Sequence, residues 1–368
     1  MVLQAIILGI FAVAIALAPV GKEALAGAPA KQQGQQQQQQ QGQQQTPPSS
    51  AQITVAANLV TIDAVVTDSE GNFLMNLKKE NFRILEDNKP QIIASFSPSS
   101  EAPITAVILM QFSANMFSYN FSAMVARAWA PEFLRNLKKN DWIALMDFDL
   151  KTRVDVDFTR DPDDVLRELM RMTVPLYSES CIFDAVLETL DRLEDVHGKK
   201  AIVLIATGRD TLSKHTLDDT LKKVRQSDVA IYGICINQFI DNMTMRVGGI
   251  NEAQAWNQLR TFSEYTGGQA WNPQMTQEVP GVMKQIAFCL RNQYSLGYNP
   301  PASSFDGKYH KIKVEIVNAD GSPYVLADAK GKKQKFVVYA RQGYTAKTAS
   351  AAADFGGGKF AREVSRTH

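Results

Sequence analysis

Three side chains that can converge on one point close a strand-like run, Ile108-Leu109-Met110-Gln111-Phe112-Ser113-Ala114-Asn115. Alternate residues leaving the end of a strand point the same way, so Gln111, Ser113 and Asn115 share one side. Each brings an amide or hydroxyl oxygen and none brings a charge. Such a set can bind a partner's polar groups, or be what remains of a cation site. It can also simply cap the loop amides ahead of a helix, because Ser and Asn bond nearby backbone readily. The residues alone leave these readings open.

Other chemistries are thinly represented. The series Asp147, Asp149, Asp155, Asp157, Asp161, Asp163 and Asp164 suggests calcium, yet no Gly stands where a calcium loop needs its sharp turn. Caps and solvated strand faces account for all seven, with Asp161-Pro162 a helix start. Cys181, Cys235 and Cys289 are too few and too scattered for a disulfide framework, and each has apolar neighbours that mark it as a buried thiol. With four His in the chain there is no Cys/His zinc spacing, and His197 and His215 stand in polar, surface-like stretches. No Ser/His/Asp or Cys/His arrangement emerges, so no catalytic residue is assigned. Gly248-Gly249 and Gly267-Gly268 lack the strand-then-helix setting of a phosphate loop.

The elements that must position the polar triplet are strands alternating with helices. Residues 104–109, 142–147, 201–206 and 230–236 are short Val/Ile/Leu-rich runs of the kind buried on both faces of a parallel sheet. Helical spacing fills the segments between, as in Val165-Leu166-Leu169-Met170 and Ala185-Val186-Thr189-Leu190-Leu193. A doubly wound α/β unit over residues 101–292 is predicted, and ligands of such sheets bind beyond the C-terminal ends of the strands, where Gln111, Ser113 and Asn115 fall.

On either side the periodicity changes to that of strands. Residues 60–68, 82–85 and 91–96 alternate in a first flank (53–100), and 311–316 and 335–340 do so in a second (293–345). Each flank has too few strands to bury a core alone, so the two are expected to build one β-sandwich into which the α/β unit is inserted.

The 368 residues carry 45% hydrophobic and 21% charged side chains, ordinary globular material long enough for two cores. Against 39 basic residues stand 38 acidic ones, a net charge of +1, which gives no field to attract nucleic acid or an anionic surface. Residues 1–26 read as an export signal, with an apolar run from Ala5 to Val20 and the small-residue pattern Ala24-Leu25-Ala26, although no Lys or Arg precedes the run. The chain is therefore expected outside the cytoplasm, periplasmic or secreted, and tied to a membrane only if this segment is retained. Residues 27–52 form a linker, because 31–50 are almost entirely Gln with Gly, Pro and Ser and offer nothing apolar to offset ordering, and 346–368 form a loose tail.

Several motifs carry a family resemblance. In the first flank they are 59–68 and Asn81-Phe82-Arg83-Ile84-Leu85-Glu86-Asp87-Asn88-Lys89-Pro90-Gln91. In the second they are Tyr294-Ser295-Leu296-Gly297-Tyr298, Asp306-Gly307-Lys308-Tyr309-His310-Lys311-Ile312-Lys313-Val314 and Arg341-Gln342-Gly343-Tyr344. With the α/β pattern between them, residues 55–345 resemble the von Willebrand factor type A (VWA) related family described from acidobacteria. The resemblance implies a VWA unit between β-rich flanks and a metal-ion-dependent adhesion site built from Asp-x-Ser-x-Ser, a Thr in a second loop, and an Asp in Thr-Asp-Gly. Aligned on this chain, the first Asp falls on Gln111, the serines on Ser113 and Asn115, the Thr on Ser180 and the last Asp on Thr207.

Both carboxylates of that pattern are therefore missing. Mg²⁺ gives up water reluctantly and is normally held through one or two carboxylates, so no metal ligand is assigned and at most weak Mg²⁺ binding is expected. Glu179 and Asp210 are near enough in sequence to act as accessory or substitute carboxylates, which would restore a divalent-cation-dependent adhesion protein. Asp184 reads as support for the helix that begins there. The expected protein is an exported, non-enzymatic binding module without a cofactor. It grips another protein through Gln111, Ser113, Asn115, Ser180 and Thr207; a purely structural envelope component is the other alternative.

Overall fold

A computed structural model describes residues 59–98, 102–113, 121–172, 177, 179–237, 250–327 and 331–346, with the side chains of 121–127 and of 250–251 left out. The expected export signal, the Gln-rich linker, nearly all of the tail, Asn115 and Gly248-Gly249 lie outside the described residues. Along the chain run β1 (Val60–Asp68), β2 (Phe82–Glu86), β3 (Lys89–Gln91) and β4 (Ile93–Ser97), then β5 (Ile104–Gln111), α1 (Phe121–Leu134), β6 (Trp142–Phe148) and β7 (Thr152–Thr159). Next come α2 (Pro162–Arg171), α3 (Ile182–Arg192), β8 (Lys199–Ala206), α4 (Leu217–Gln226), β9 (Ala230–Cys235), α5 (Ile250–Thr266), β10 (Ala270–Trp271) and α6 (Val279–Arg291). The order ends with β11 (Tyr294–Tyr298), β12 (Tyr309–Ile316), β13 (Leu326–Ala327), β14 (Lys333–Gln334), β15 (Phe336–Ala340) and β16 (Gly343–Thr345).

The central sheet has the order β10-β9-β8-β5-β6-β7, parallel throughout except for the edge strand β7. Every residue of β5 is buried, as an uninterrupted apolar run flanked by parallel neighbours requires. Ala106, Ile108 and Met110 pack on one face with Trp129 and Phe133 of α1, Val165 and Leu169 of α2 and Met283 of α6. Val107 and Leu109 pack on the other with Ile182 and Val186 of α3, Val224 of α4 and Leu259 and Phe262 of α5. Helices cover both faces, so the unit is doubly wound.

The flanks pair with each other. One antiparallel sheet has the order β15-β1-β11-β4, in which strands from after and before the α/β unit alternate, and the second has the order β16-β12-β2-β3, in which two strands from after the unit join two from before it at the β12-β2 pair. Their inner faces share a core of Ile62, Ala64, Val66, Ile84, Leu296, Tyr298, Ile312 and Val314, which follows from the period of two along β1 and β12. Val65, on the opposite face of β1, belongs to the core of the α/β unit instead and couples the two parts. The single strand expected over 91–96 is two strands. The chain leaves one sheet after Gln91, passes through the 88% exposed Ile92, and enters the other sheet at Ile93. No helix among the described residues is long and apolar enough to cross a membrane.

Candidate functional site

The C-terminal ends of β5, β6, β8 and β9 lie side by side and form a crown. Parallel pairing sets Gln111 beside Phe148, and the amide of Phe112 donates to the carbonyl of Phe148 (2.8 Å), which carries the strand spacing one residue past β5. Gln111 is 2% exposed and both ends of its amide are engaged. Its Oε1 accepts from the backbone N–H and the hydroxyl of Thr207, each at 2.9 Å, and its Nε2 donates to Ser113 Oγ at 3.0 Å. Thr207 Oγ1 in turn accepts from the Arg209 amide (3.3 Å). The Thr207 carbonyl accepts from Asn237 Nδ2 at 2.5 Å. Gly208, the residue between, has φ +78°, and a Cβ there would meet the Ala255 carbonyl oxygen at 2.5 Å, so α5 presses directly on this turn.

The second loop is tied to the same crown by backbone. Ser180 N–H donates to Thr211 Oγ1 and the Ser180 carbonyl accepts from Thr211 N–H, both at 2.8 Å, while Cys181 N–H reaches the Asp149 carbonyl at 2.9 Å. Ser180 itself is buried and its Oγ has no hydrogen-bond partner among the described residues. Of the two accessory carboxylates, Glu179 is half-buried on this loop. Asp210 spends its oxygens on Phe183 N–H at the start of α3 (3.4 Å), on Ser213 N–H (3.2 Å) and on the Ser213 hydroxyl. Asp184, expected to support the start of α3, binds a different segment: its carboxylate accepts from the amides of Lys214 and His215 and meets His215 Nδ1 at 2.7 Å. Asp210, from the neighbouring loop, has the helix-start role, because the turn at 207–213 aims it there.

Two of the seven Asp side chains are not on a solvated strand face, as expected, but buried. Asp147 is 3% exposed and Asp149 0%, because the antiparallel edge strand β7 sets Arg153 opposite Asp147. Arg153 pairs with Asp147 at 2.6 Å and with Asp149 at 2.8 Å. Burial pushes the Asp147 carboxyl up to about 6, against the pull of Arg153. Asp155, half-buried, is pushed up to about 7 by its partial burial and by the neighbouring negative charge of Asp147. Asp161 does cap α2, accepting from Asp163 N–H at 3.0 Å, with Pro162 at the first helical position.

Of the five expected site residues, the structure brings Gln111, Ser113 and Thr207 into one hydrogen-bonded chain and puts Ser180 on the adjoining loop. Asn237 was missed, although it stands at the end of the apolar run Tyr232–Ile236 just as Gln111 does. Among the described residues no Ser or Cys nucleophile is hydrogen-bonded to a histidine base. Ser113 Oγ faces an amide, and His215 pairs with Asp184 on the surface, where no hydroxyl or thiol among the described residues meets its Nε2.

Strand order, helix placement and crown are consistent with a VWA-type α/β unit carried on a β-sandwich. The chain matches no family model and no curated protein. Among solved structures it is similar to an aerotolerance-related membrane protein from Bacteroides fragilis, with 13% identity over 50% of this chain and 98% of that one and a TM-score of 0.40. It is also similar to the von Willebrand factor domain of a type V pilus tip protein from Porphyromonas gingivalis (10% identity, 51% and 94% covered, TM-score 0.40). A third is proximal thread matrix protein 1 of the mussel byssus with a zinc-occupied adhesion motif (10% identity, 56% and 49% covered, TM-score 0.41). Overlap at this level is a loose likeness of layout and says nothing of a ligand.

Proposed function

We propose that the chain is an exported, non-enzymatic VWA-type module that docks on another protein through its crown, with no cation in the contact. The observation that carries this reading is the closed chain from Ser113 through Gln111 and Thr207 to Asn237. A divalent ion at the same place needs oxygen lone pairs and negative charge. Gln111 offers an oxygen that already accepts two hydrogen bonds and an N–H where a carboxylate would present a second oxygen. The apolar leader and Gln-rich linker of the sequence support export.

Burial gives the site residues a definite part. Gln111, Ser113, Ser180 and Thr207 lie beneath the rim and hold the loops in place. Contact then falls to the side chains that stand out from those loops, among them Tyr177 (41% exposed), Leu212 (58% exposed) and the guanidinium of Arg209, which is paired with Glu252. Aromatic residues and Arg are enriched where proteins meet. Capture from an envelope extract with the purified protein as bait tests this. A partner should be retained in the presence of EDTA and lost with the double variant Tyr177→Ala/Leu212→Ala. A partner released by EDTA would restore the cation-dependent reading, and one retained by the double variant would move the contact elsewhere.

A further inference from the structure

The flank motifs meet at one point inside the sandwich, far from the crown in the chain and unused by it. Glu86 ends β2 and is paired with Ile312 of β12, two residues from His310 on the same face of that strand. Tyr344 of β16 lies directly across from His310, and Tyr298 reaches over from the opposite sheet. Asp87 follows Glu86 in a two-residue hairpin turn where Asp87 and Asn88 have φ of 48° and 65°, as a type I′ turn needs. From this arrangement the geometry points to a divalent-cation site of the zinc class formed by Glu86, Asp87 and His310.

The ligand atoms are of the right kind and close enough. One oxygen from each carboxylate and one imidazole nitrogen lie within 4.8 Å of one another. His310 Nδ1 is 2.8 Å from Asp87 Oδ2 and 3.8 Å from Glu86 Oε1. Ligands of an ion at about 2.0–2.2 Å stand roughly 3 Å or a little more apart, so an opening of a few tenths of an ångström between Nδ1 and Asp87 admits it.

The supporting groups are those that metal ligands use. His310 Nε2 is 3.1 Å from Asp306 Oδ1, so Nε2–H can donate to a carboxylate in the tautomer that leaves Nδ1 to a metal, as it does behind most metal-bound histidines. Glu86, 3% exposed, accepts from the Tyr298 hydroxyl at 2.5 Å, from Ser304 and from Tyr344 at 3.4 Å, three donors that fix the orientation of its carboxyl group. Three carboxylates surround one histidine, an excess of negative charge that a divalent ion offsets more fully than a single imidazolium does. Asp87 is half-exposed, with 47% of its side chain open to solvent, and supplies the way in. Two oxygens and one imidazole suit zinc and its neighbours better than Mg²⁺, which prefers an all-oxygen shell.

Titration calorimetry of the metal-stripped protein with Zn²⁺ is the test, with melting curves to confirm that each variant is folded. One equivalent should bind in the micromolar range or tighter. Binding should vanish in His310→Gln and weaken about 10–100-fold in Asp306→Asn. It should be unchanged in His215→Gln, which removes the surface His/Asp pair, and in Ser113→Ala, which alters only the crown. Absence of a stoichiometric site, or a site that survives His310→Gln, overturns the proposal and leaves His310 as an ion-paired staple. Should His310→Gln fail to fold, protection of His310 from diethyl pyrocarbonate by Zn²⁺ in the unaltered protein takes its place, and an unprotected His310 is likewise contrary.

Discussion

At the scale of residues, a single exchange of carboxylate for amide decides what the crown can do. An Asp at position 111 would offer four lone-pair directions and a charge; Gln111 offers one oxygen, already taken twice by Thr207, and an N–H given to Ser113. Gln111→Leu would leave the Thr207 amide and hydroxyl without a partner in a buried site. The expected loss is about 1–3 kcal/mol in urea unfolding, and a loss within about 0.5 kcal/mol of zero would mean the chain contributes nothing. That Gln111 and Ser113 fall on one side at the end of β5 was legible because period-two alternation at a strand end is a local property. That Gln111, bonded to Ser113, also takes two hydrogen bonds from Thr207 just past the end of another strand is a tertiary fact no local pattern contains.

At the scale of elements, the edge strand β7 brings a consequence that composition concealed. Asp147 and Asp155 carry carboxyls raised by burial, with Arg153 partly offsetting it and the two negative charges opposing each other. Unfolded, both ionise near 3.8, so between that pH and about 7 the folded state holds more protons. Stability from this cluster is therefore present at low pH and lost as pH rises through the folded-state values. The urea midpoint should rise as pH is lowered from about 7 to about 5, and Asp155→Asn should flatten that rise and increase the midpoint at pH 7. A midpoint that falls over this range in the unaltered protein, or a slope that the substitution leaves unchanged, would contradict the assignment. Strands β5, β6, β8 and β9 were readable as apolar runs. The burial of Asp147 was not, because it depends on the register that sets Arg153 opposite, and in sequence an Asp at a strand end reads as solvated.

At the scale of the whole molecule, two sheets woven from both ends of the chain carry the α/β unit, and Val65 and Tyr339 of the sandwich pack against the core of that unit. The pairing of the flanks was predictable, since neither could cover its own apolar face. The meeting of Glu86 with His310 was not, because the two are brought together only by the register of β2 against β12. Within this frame the crown is positioned by neutral hydrogen bonds, from which we propose that it works without a cation. Titration calorimetry with Mg²⁺ tests this most directly, comparing the unaltered protein, Ser113→Ala and the double variant Gln111→Asp/Thr207→Asp. Crown binding in the first is expected to be no tighter than about 10⁻³ M, and the double variant should gain a site. A single Mg²⁺ bound tightly by the unaltered protein and lost in Ser113→Ala would contradict the proposal.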